Sequence, residues 1–332
     1  MFTALHRAPA ASVVIPAFNA ERDIAAALES VFAQTFTDYE VIVVNDGSAD
    51  NLAAAIHPFQ HRLIYIEQPN RGAAAARNAG IRAARGRYVA FLDADDVWQP
   101  MFLDRQIRYL ESRPACDLVY SDGLISGESA LAGQRFMKGA PSKGPVTLVS
   151  LLNLQCHVLL STVVARRAVL VRVGLFDESI RRGHDFELWL RMTLHGATLE
   201  YQREVLAEHR ARLSGLTGDT LSELQRPVDV LTRFARRDDL PREARLALRS
   251  CLTRSLDAIE VELGKRRLIE GNFPAARYHL AAARRPPFKV RLARLGLRVA
   301  PVLVRRLYTV LRRPQAHPRL ARQTAVARAD PL

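Results

Sequence analysis

A run of apolar residues, Tyr88-Val89-Ala90-Phe91-Leu92, stops at Asp93-Ala94-Asp95-Asp96, three carboxylates within four residues. Every position of the run is apolar rather than every second one, the pattern of a parallel strand covered on both faces. Such a strand delivers its acids to the carboxyl end, the edge at which open α/β sheets bind ligands. Three like charges this close repel each other and need a cation or hydrogen-bond donors. A divalent metal shared with an oxygen-rich partner such as a diphosphate would satisfy them. An acidic turn capping the next helix is the other reading these residues allow.

The first 120 residues alternate strand and helix patterns. Residues 12–17, 39–44, 63–66 and 88–92 read as strands. Helical spacing follows at 21–32, 73–85 and 101–111. This alternation predicts a mostly parallel, doubly wound sheet with flanking helices. Residues 118–121 continue the sheet, and 123–144, rich in Gly and Ser, read as an irregular connection. Residues 186–194 are helical. From Asp219 on strand signals vanish, and helices break near Pro241, Gly271-Asn272 and Pro286-Pro287. Ala258 to Arg285 has the form of one tetratricopeptide-like helix pair without a second copy.

The formal charge of +14 suggests a nucleic-acid binder until it is located. Residues 271–329 hold 14 of the 48 Arg and Lys and no acid, so the remaining 34 bases meet 34 acids. The front of the chain therefore has no net field for a polyanion. Cys116, Cys156 and Cys251 lack metal-ligand spacing and fit small buried hydrophobes in a reducing compartment. No signal-peptide pattern opens the chain, so a cytoplasmic protein is expected. Residues 144–165 carry no charge, but Asn153, Gln155 and His157 argue for folded interior over a membrane span.

Four loops leave strand ends of the same sheet: Pro16-Ala17-Phe18-Asn19-Ala20-Glu21, Asn45-Asp46-Gly47-Ser48, Gln68-Pro69-Asn70-Arg71-Gly72 and the acidic turn. Gly72 opens a helix whose free N–H groups suit an anion, and Arg77 lies one turn in. These parts suit a nucleotide, with Asp46 accepting from base or ribose, Arg71 and Arg77 near phosphates and the acids on a metal. An Asx-turn at Asp46 and a solvated helix face at Arg77 are the bland alternatives.

The segments Ser12–Asn19, Val41–Ser48, Asn70-Arg71-Gly72 with Ala76–Gly80, and Phe91–Asp96 are joined by Val173–Glu178 and by His184-Asp185-Phe186-Glu187-Leu188-Trp189-Leu190-Arg191. In order and spacing, over roughly residues 10–215, they resemble a family 2 glycosyltransferase of the GT-A fold. The resemblance implies a GT-A domain over 1–218, with a nucleotide-sugar half at about 10–122 and an acceptor half at about 123–218. A helical, basic region follows over 219–315, and 316–332 are expected to be disordered.

The same resemblance implies an inverting, metal-dependent transfer from a nucleoside diphosphate sugar to a glycan or lipid-linked acceptor in cell-surface polysaccharide synthesis. It implies that Asp95, with Asp93, holds Mg²⁺ or Mn²⁺, and that Asp93 contacts the donor's ribose or sugar. Asp46 would meet the nucleobase. Pro16, Ala17, Asn19, Glu21 and Ala94 would line the donor pocket, with Arg71 and Arg77 near the diphosphate. The catalytic base of the family is the Asp of a Glu-Asp pair, here His184-Asp185, so Asp185 is the candidate base and the usual Glu is His. An N-cap role for Asp185 is its structural alternative. Asp96, His184 and Arg210 are secondary candidates, Arg210 in a His-containing loop, Glu208–Leu216.

Residues 288–313 mix apolar residues and arginines around Pro301. They suit an anionic membrane surface or a helical appendage with solvated arginines. Nucleic acid is not expected, since only Phe288 and Tyr308 could stack. Two other functions remain open at this stage. One is a non-catalytic sugar-nucleotide module, kept open by His184. The other is a sugar-1-phosphate nucleotidyltransferase, disfavoured because the first loop has no glycine and no base before Arg22.

Overall fold

The structure, a computed structural model, describes residues 7–129, 131–211 and 220–311. Its strands are β1 (Ala11–Ala17), β2 (Tyr39–Asn45), β3 (Ile64–Glu67), β4 (Tyr88–Phe91), β5 (Val97–Trp98), β6 (Leu118–Gly127), β7 (Val163–Arg166) and β8 (Leu199–Ala211). The helices before residue 200 are α1 (Ile24–Phe32), α2 (Leu52–Ile56), α3 (Ala73–Ala83), α4 (Phe102–Ser112), α5 (Phe136–Gly139), α6 (Leu148–Leu152), α7 (Arg167–Arg172) and α8 (His184–Leu194). After residue 219 come α9 (Thr220–Phe234), α10 (Arg242–Glu270), α11 (Phe273–Ala282), α12 (Phe288–Val299) and α13 (Pro301–Leu311). The described chain forms two compact units divided between Ser255 and Leu256.

In the first unit the strands form one sheet in the order β3-β2-β1-β4-β7-β6-β8-β5. The first four run parallel, as the strand–helix alternation predicts. β7 then runs antiparallel to both β4 and β6, β6 and β8 pair in parallel, and β5 runs antiparallel to β8. The unbroken apolar runs are explained by layers on both faces. Val14, Ile42, Val44, Val89 and Phe91 enter one core, which also receives Ile81 from α3 and Leu188 and Trp189 from α8. Val13, Ile15, Val41, Val43, Ala90 and Leu92 enter the other, with Leu28 from α1 and Leu103 and Ile107 from α4. Val230, Leu231, Phe234, Leu248 and Cys251 from α9 and α10 complete the first core. The three cysteines are buried and unpaired, and burial pushes the Cys116 thiol up to about 12.

Pro16 stands in the central strand without breaking it. Val14 is the last residue of β1 paired with β4, and Leu92 donates to the Val14 carbonyl. Backbone groups alternate sides, so the N–H that Pro16 lacks would have faced β4 beyond its last paired residue.

Two regions depart from the sequence reading. The connection at 123–144 is partly strand, because β6 runs on to Gly127 beside β8. Glu208 to Ala211 belong to β8 rather than to a loop. The rest of that expected loop, from Arg212, and the expected tail over 316–332 lie outside the described residues. Breaks in the later helices fall at Pro241, Gly271-Asn272, Pro286-Pro287 and Ala300-Pro301, where proline and glycine put them. In the second unit α11 packs on α10 through Gly264, where a Cβ would come within 2.6 Å of Leu280.

α3 lies on β1 through Gly80, where an added Cβ would fall 2.4 Å from Val14 Cγ1. Valine in a strand has little rotameric freedom to move away. Gly80→Ala is therefore expected to lose about 1–3 kcal/mol of stability despite alanine's better helix propensity. Val14→Ala in the same chain should recover part of the loss in urea denaturation. An unchanged midpoint in the single variant would contradict this packing.

Candidate active site

Parallel pairing puts the ends of β1 to β4 on one edge. Ala17 lies beside Asn45, and Asn45 beside Glu67. The first two loops are laced together. Asn19 N donates to Ser48 Oγ and Asn19 Oδ1 accepts from Ala49 N. Glu21 N donates to Asp50 Oδ2, and Glu21 Oε2 accepts from Asn51 N. Asn19 holds a left-handed backbone, φ 50°, which asparagine tolerates better than most residues. Ala17 is buried, with its carbonyl taken by the Asp46 N–H, while Phe18 is half exposed on the rim.

Asp46 is 3% exposed and makes more than an Asx-turn. Its Oδ1 accepts from Gln68 Nε2 at 2.7 Å and Arg71 N at 2.9 Å, and its Oδ2 from Gly72 N at 2.8 Å. The carboxylate thus fixes the turn into α3. Gly72 there has φ +92°, outside the range of ordinary L-residues. Gly47 is equally constrained, since a Cβ would meet Asn70 N at 2.6 Å.

α3 then carries Arg77 into the interior. Arg77 is 4% exposed, and its guanidinium bonds Asp93 Oδ1 through Nη2 and His184 Nε2 through Nη1. The first turn of α8, with Asp185, is in this way joined to the acidic turn by one cation. Asn78, the next residue, clamps the Phe176 backbone from both sides and bonds Glu178, which also pairs with Arg71 and Arg82. The Asn78 bond, followed by these arginines, holds the Glu178 carboxyl below its usual range. Arg191 pins α8 to the Val173 and Leu175 carbonyls and pairs with buried Glu187. Asn78, Glu187 and Arg191 hold the scaffold in place. In the sequence they are visible only as members of the matched blocks.

The oxygens of Asp93, Asp95 and Asp96 lie within 4.8 Å of one another. Their repulsion is answered unequally. Asp93 has Arg77. Asp96, 1% exposed, accepts from His209 Nδ1 at 3.1 Å and Arg210 N at 3.0 Å. The Asp95 carboxylate has no side-chain partner among the described residues. Burial first, then the charges of Asp93 and Asp96, push its pKa up to about 6. Arg210 Nε bonds the Asp95 carbonyl at 2.5 Å. His209, which sequence reasoning placed in a loop without a role, is held on β8 against Asp96. Burial opposes its charge, but the Asp96 bond and the charges of Asp96, Asp93 and Asp95 prevail and raise it to about 9.

His184 behaves oppositely. Burial and then Arg77 push it down to about 4, against Asp185 and Asp93, so the ring is neutral. Its Nε2 accepts from Arg77, which leaves the proton on Nδ1. Gly183, not Asp185, is the α8 N-cap, and Asp185 sits within the first turn. The Asp185 carboxylate has no hydrogen-bond partner among the described residues, so the N-cap alternative does not describe it. Three buried N–H positions in this group have no acceptor among the described residues: Arg77 Nε, His184 Nδ1 and Arg210 Nη2. All three are donors, the complement of an anionic ligand.

The family model described as Glycosyl transferase family 2 matches residues 12–154. An Escherichia coli protein, UDP-Glc:alpha-D-GlcNAc-diphosphoundecaprenol beta-1,3-glucosyltransferase WfgD, is 30% identical over 67% of this chain and 85% of its own. The chain belongs to glycosyltransferase family 2. A glycosyltransferase of Rickettsia prowazekii is 29% identical over 83% of this glycosyltransferase and 84% of its own length. Two solved structures share the GT-A fold at low identity. The Pyrobaculum calidifontis mannosyltransferase PcManGT, in complex with GDP-Man and Mn²⁺, has TM-score 0.62 at 20% identity, covering 92% of this chain and 84% of that one. Staphylococcus aureus TarS 1-349 with UDP has TM-score 0.58 at 17% identity, covering 89% of each.

His209 binds its proton more tightly in the folded glycosyltransferase than when unfolded. The stability this contributes is complete below the unfolded value of 6.5 and is lost as pH rises through about 9. The gap in urea stability between wild type and His209→Gln should therefore be widest near pH 6 and close by pH 10. A gap that grows with pH would contradict the Asp96–His209 pairing.

Proposed function

We propose that the enzyme is an inverting, metal-dependent glycosyltransferase. It would move a sugar from a nucleoside diphosphate donor to a hydroxyl of a glycan or lipid-linked acceptor in cell-surface polysaccharide synthesis. The observation that carries this reading is a joint vacancy of charge. Among the described residues the Asp95 carboxylate has no side-chain partner, and Arg77 Nε and Arg210 Nη2 have no acceptor. A cation and an anion answer both needs together, and a metal diphosphate is that combination.

The donor set fits a hard divalent ion, since Asp93, Asp95 and Asp96 offer only oxygens. Asp95, with Asp93, would hold Mg²⁺ or Mn²⁺, which when bound offsets charge on the leaving nucleoside diphosphate. Arg77 and Arg210 supply fixed donors to the same charge, already desolvated and oriented by Asp93, His184 and the Asp95 carbonyl. Arg71, exposed and held by Glu178, borders the phosphates. Asp46 orients the Arg71-Gly72 turn and keeps one lone pair of Oδ2 for a nucleobase, with Pro16, Ala17, Asn19, Glu21 and Ala94 shaping the same rim. Asp185 takes the proton from the attacking hydroxyl. Its unpaired carboxylate suits a base, and neutral His184 beside it adds no charge that would hold that proton back. His184 also gives Arg77 an acceptor, so the departure from Glu keeps the guanidinium fixed. This weakens the reading as a mere binding module.

PcManGT's complex with Mn²⁺ and WfgD's diphosphoundecaprenol acceptor support the metal and the lipid-linked acceptor. Residues 1–218 would carry the chemistry, with a donor half at about 10–122 and an acceptor half at about 123–218. Residues 219–315 would serve as an accessory region. A cytoplasmic setting, where sugar nucleotides are made, suits the reading.

Asp185→Asn should lower transfer at least 100-fold while nucleoside diphosphate affinity, read by calorimetry with Mn²⁺, stays within about twofold. Asp95→Ala should lose metal-dependent donor binding as well. Turnover of Asp185→Asn at the wild-type rate would remove the base assignment. Because protons compete for Asp95 below about pH 6, Mn²⁺ affinity should fall by up to about tenfold per pH unit there and level off above it. Affinity flat from pH 5 to 7 would contradict Asp95 as ligand.

A further inference from the structure

We infer that the second compact unit docks the enzyme on an anionic lipid surface through the outer faces of α12 and α13. The inference goes beyond the proposed transfer chemistry and does not depend on it.

α12 carries two apolar stripes on opposite sides. At 100° per residue, Val290 and Leu297 share one side, and Phe288, Leu292, Leu295 and Val299 share the other. The first stripe is used inside the unit. Leu297 is buried in a small core with Val261, Leu268, Ala276 and Leu280, and Val290, Val304 and Tyr308 pack on it. Gly296 lets α13 approach, since a Cβ there would meet Val304 at 2.7 Å. Among the described residues nothing covers the second stripe. Phe288 is 71% exposed, Leu295 61% and Val299 87%. α13 repeats the arrangement. Val304 and Tyr308 face inward, while Val302, Leu303, Leu307 and Val310 are exposed. A second apolar stripe adds nothing to folding of the unit and exposes surface that water disfavours.

Charge identifies the occupant. Residues 271–311 contain nine Arg or Lys and no Asp or Glu. Lys289, Arg291, Arg298 and Arg306 are exposed beside the outer stripes. A second copy of this unit would bring like charges together. A nucleic acid would leave the aliphatic stripes uncovered, since it binds through phosphates and stacking. An anionic bilayer satisfies both features, with Leu, Val and Phe entering the acyl boundary and the arginines meeting lipid phosphates. No helix among the described residues is long and apolar enough to cross a membrane, so the element would lie in the interface.

The test is flotation of the full-length protein with vesicles of phosphatidylcholine alone or with 30% phosphatidylglycerol, the latter fraction being about that of an anionic membrane leaflet. Binding is expected to the anionic vesicles only and to weaken at 0.5 M salt, a concentration at which the screening length falls to roughly half its physiological value. Arg291→Gln, Arg298→Gln and Arg306→Gln together should lower partitioning by about a hundredfold, each charge counting about fivefold. Leu292→Ser, Leu295→Ser, Leu303→Ser and Leu307→Ser together should abolish it with unchanged circular dichroism, because all four are exposed. If that variant misfolds, spin labels give a second measurement: nitroxides at Leu295 and Leu307 should become less accessible to a water-soluble paramagnetic relaxation agent on adding anionic vesicles. No wild-type binding, equal binding to neutral vesicles, or a stable dimer whose interface protects these positions would overturn the proposal.

Discussion

Crowding of three carboxylates at the end of β4 governs the rest of the site. Such a cluster folds only if most of its repulsion is cancelled, and the structure cancels two of the three charges. Arg77 answers Asp93 from α3, and His209 with the Arg210 backbone answers Asp96 from β8. Those partners come from opposite halves of the sheet, so the acidic turn ties the parallel strands to the mixed ones. Asp95 is left over, and burial, then the charges of Asp93 and Asp96, raise its pKa.

α3 is the part that turns this local balance into a site. Its start is fixed by Asp46, its middle by Asn78 against the Phe176 turn, and its packing on β1 by the absence of a side chain at Gly80. Arg77 has little freedom as a result, and Asp93 and His184 hold its head from two sides. Rigid donors of this kind need no rearrangement as charge develops on a leaving group. The proposed base, Asp185, hangs from the same contact through His184.

Much of this was legible in the sequence because parallel strands buried on both faces leave continuous apolar runs, and the loops after them are short. The acids after Leu92, the turn at Asp46-Gly47 and the helix opening at Gly72 could be put on one edge from pattern alone. β8 could not. Leu199–Ala211 holds Glu, Arg, Gln and His among its apolar residues, since several of its side chains stay half exposed. The same polarity hid His209. β5 is two residues long, too short for any periodicity, and β6 carries Gly123 and Gly127, which read as loop. Asn78 and Arg191 act through backbone carbonyls about a hundred and about fifteen residues away, contacts that spacing does not encode.

The central claim is that Asp95 and the unpartnered donors of Arg77 and Arg210 receive a metal diphosphate together. Anomalous diffraction from crystals grown with Mn²⁺ and a nucleoside diphosphate tests it most directly. The account predicts a manganese peak at the Asp95 carboxylate, with diphosphate oxygens within hydrogen-bond distance of Arg77 Nε and Arg210 Nη2. A peak away from Asp95, or a diphosphate that leaves both arginines without an acceptor, would contradict it.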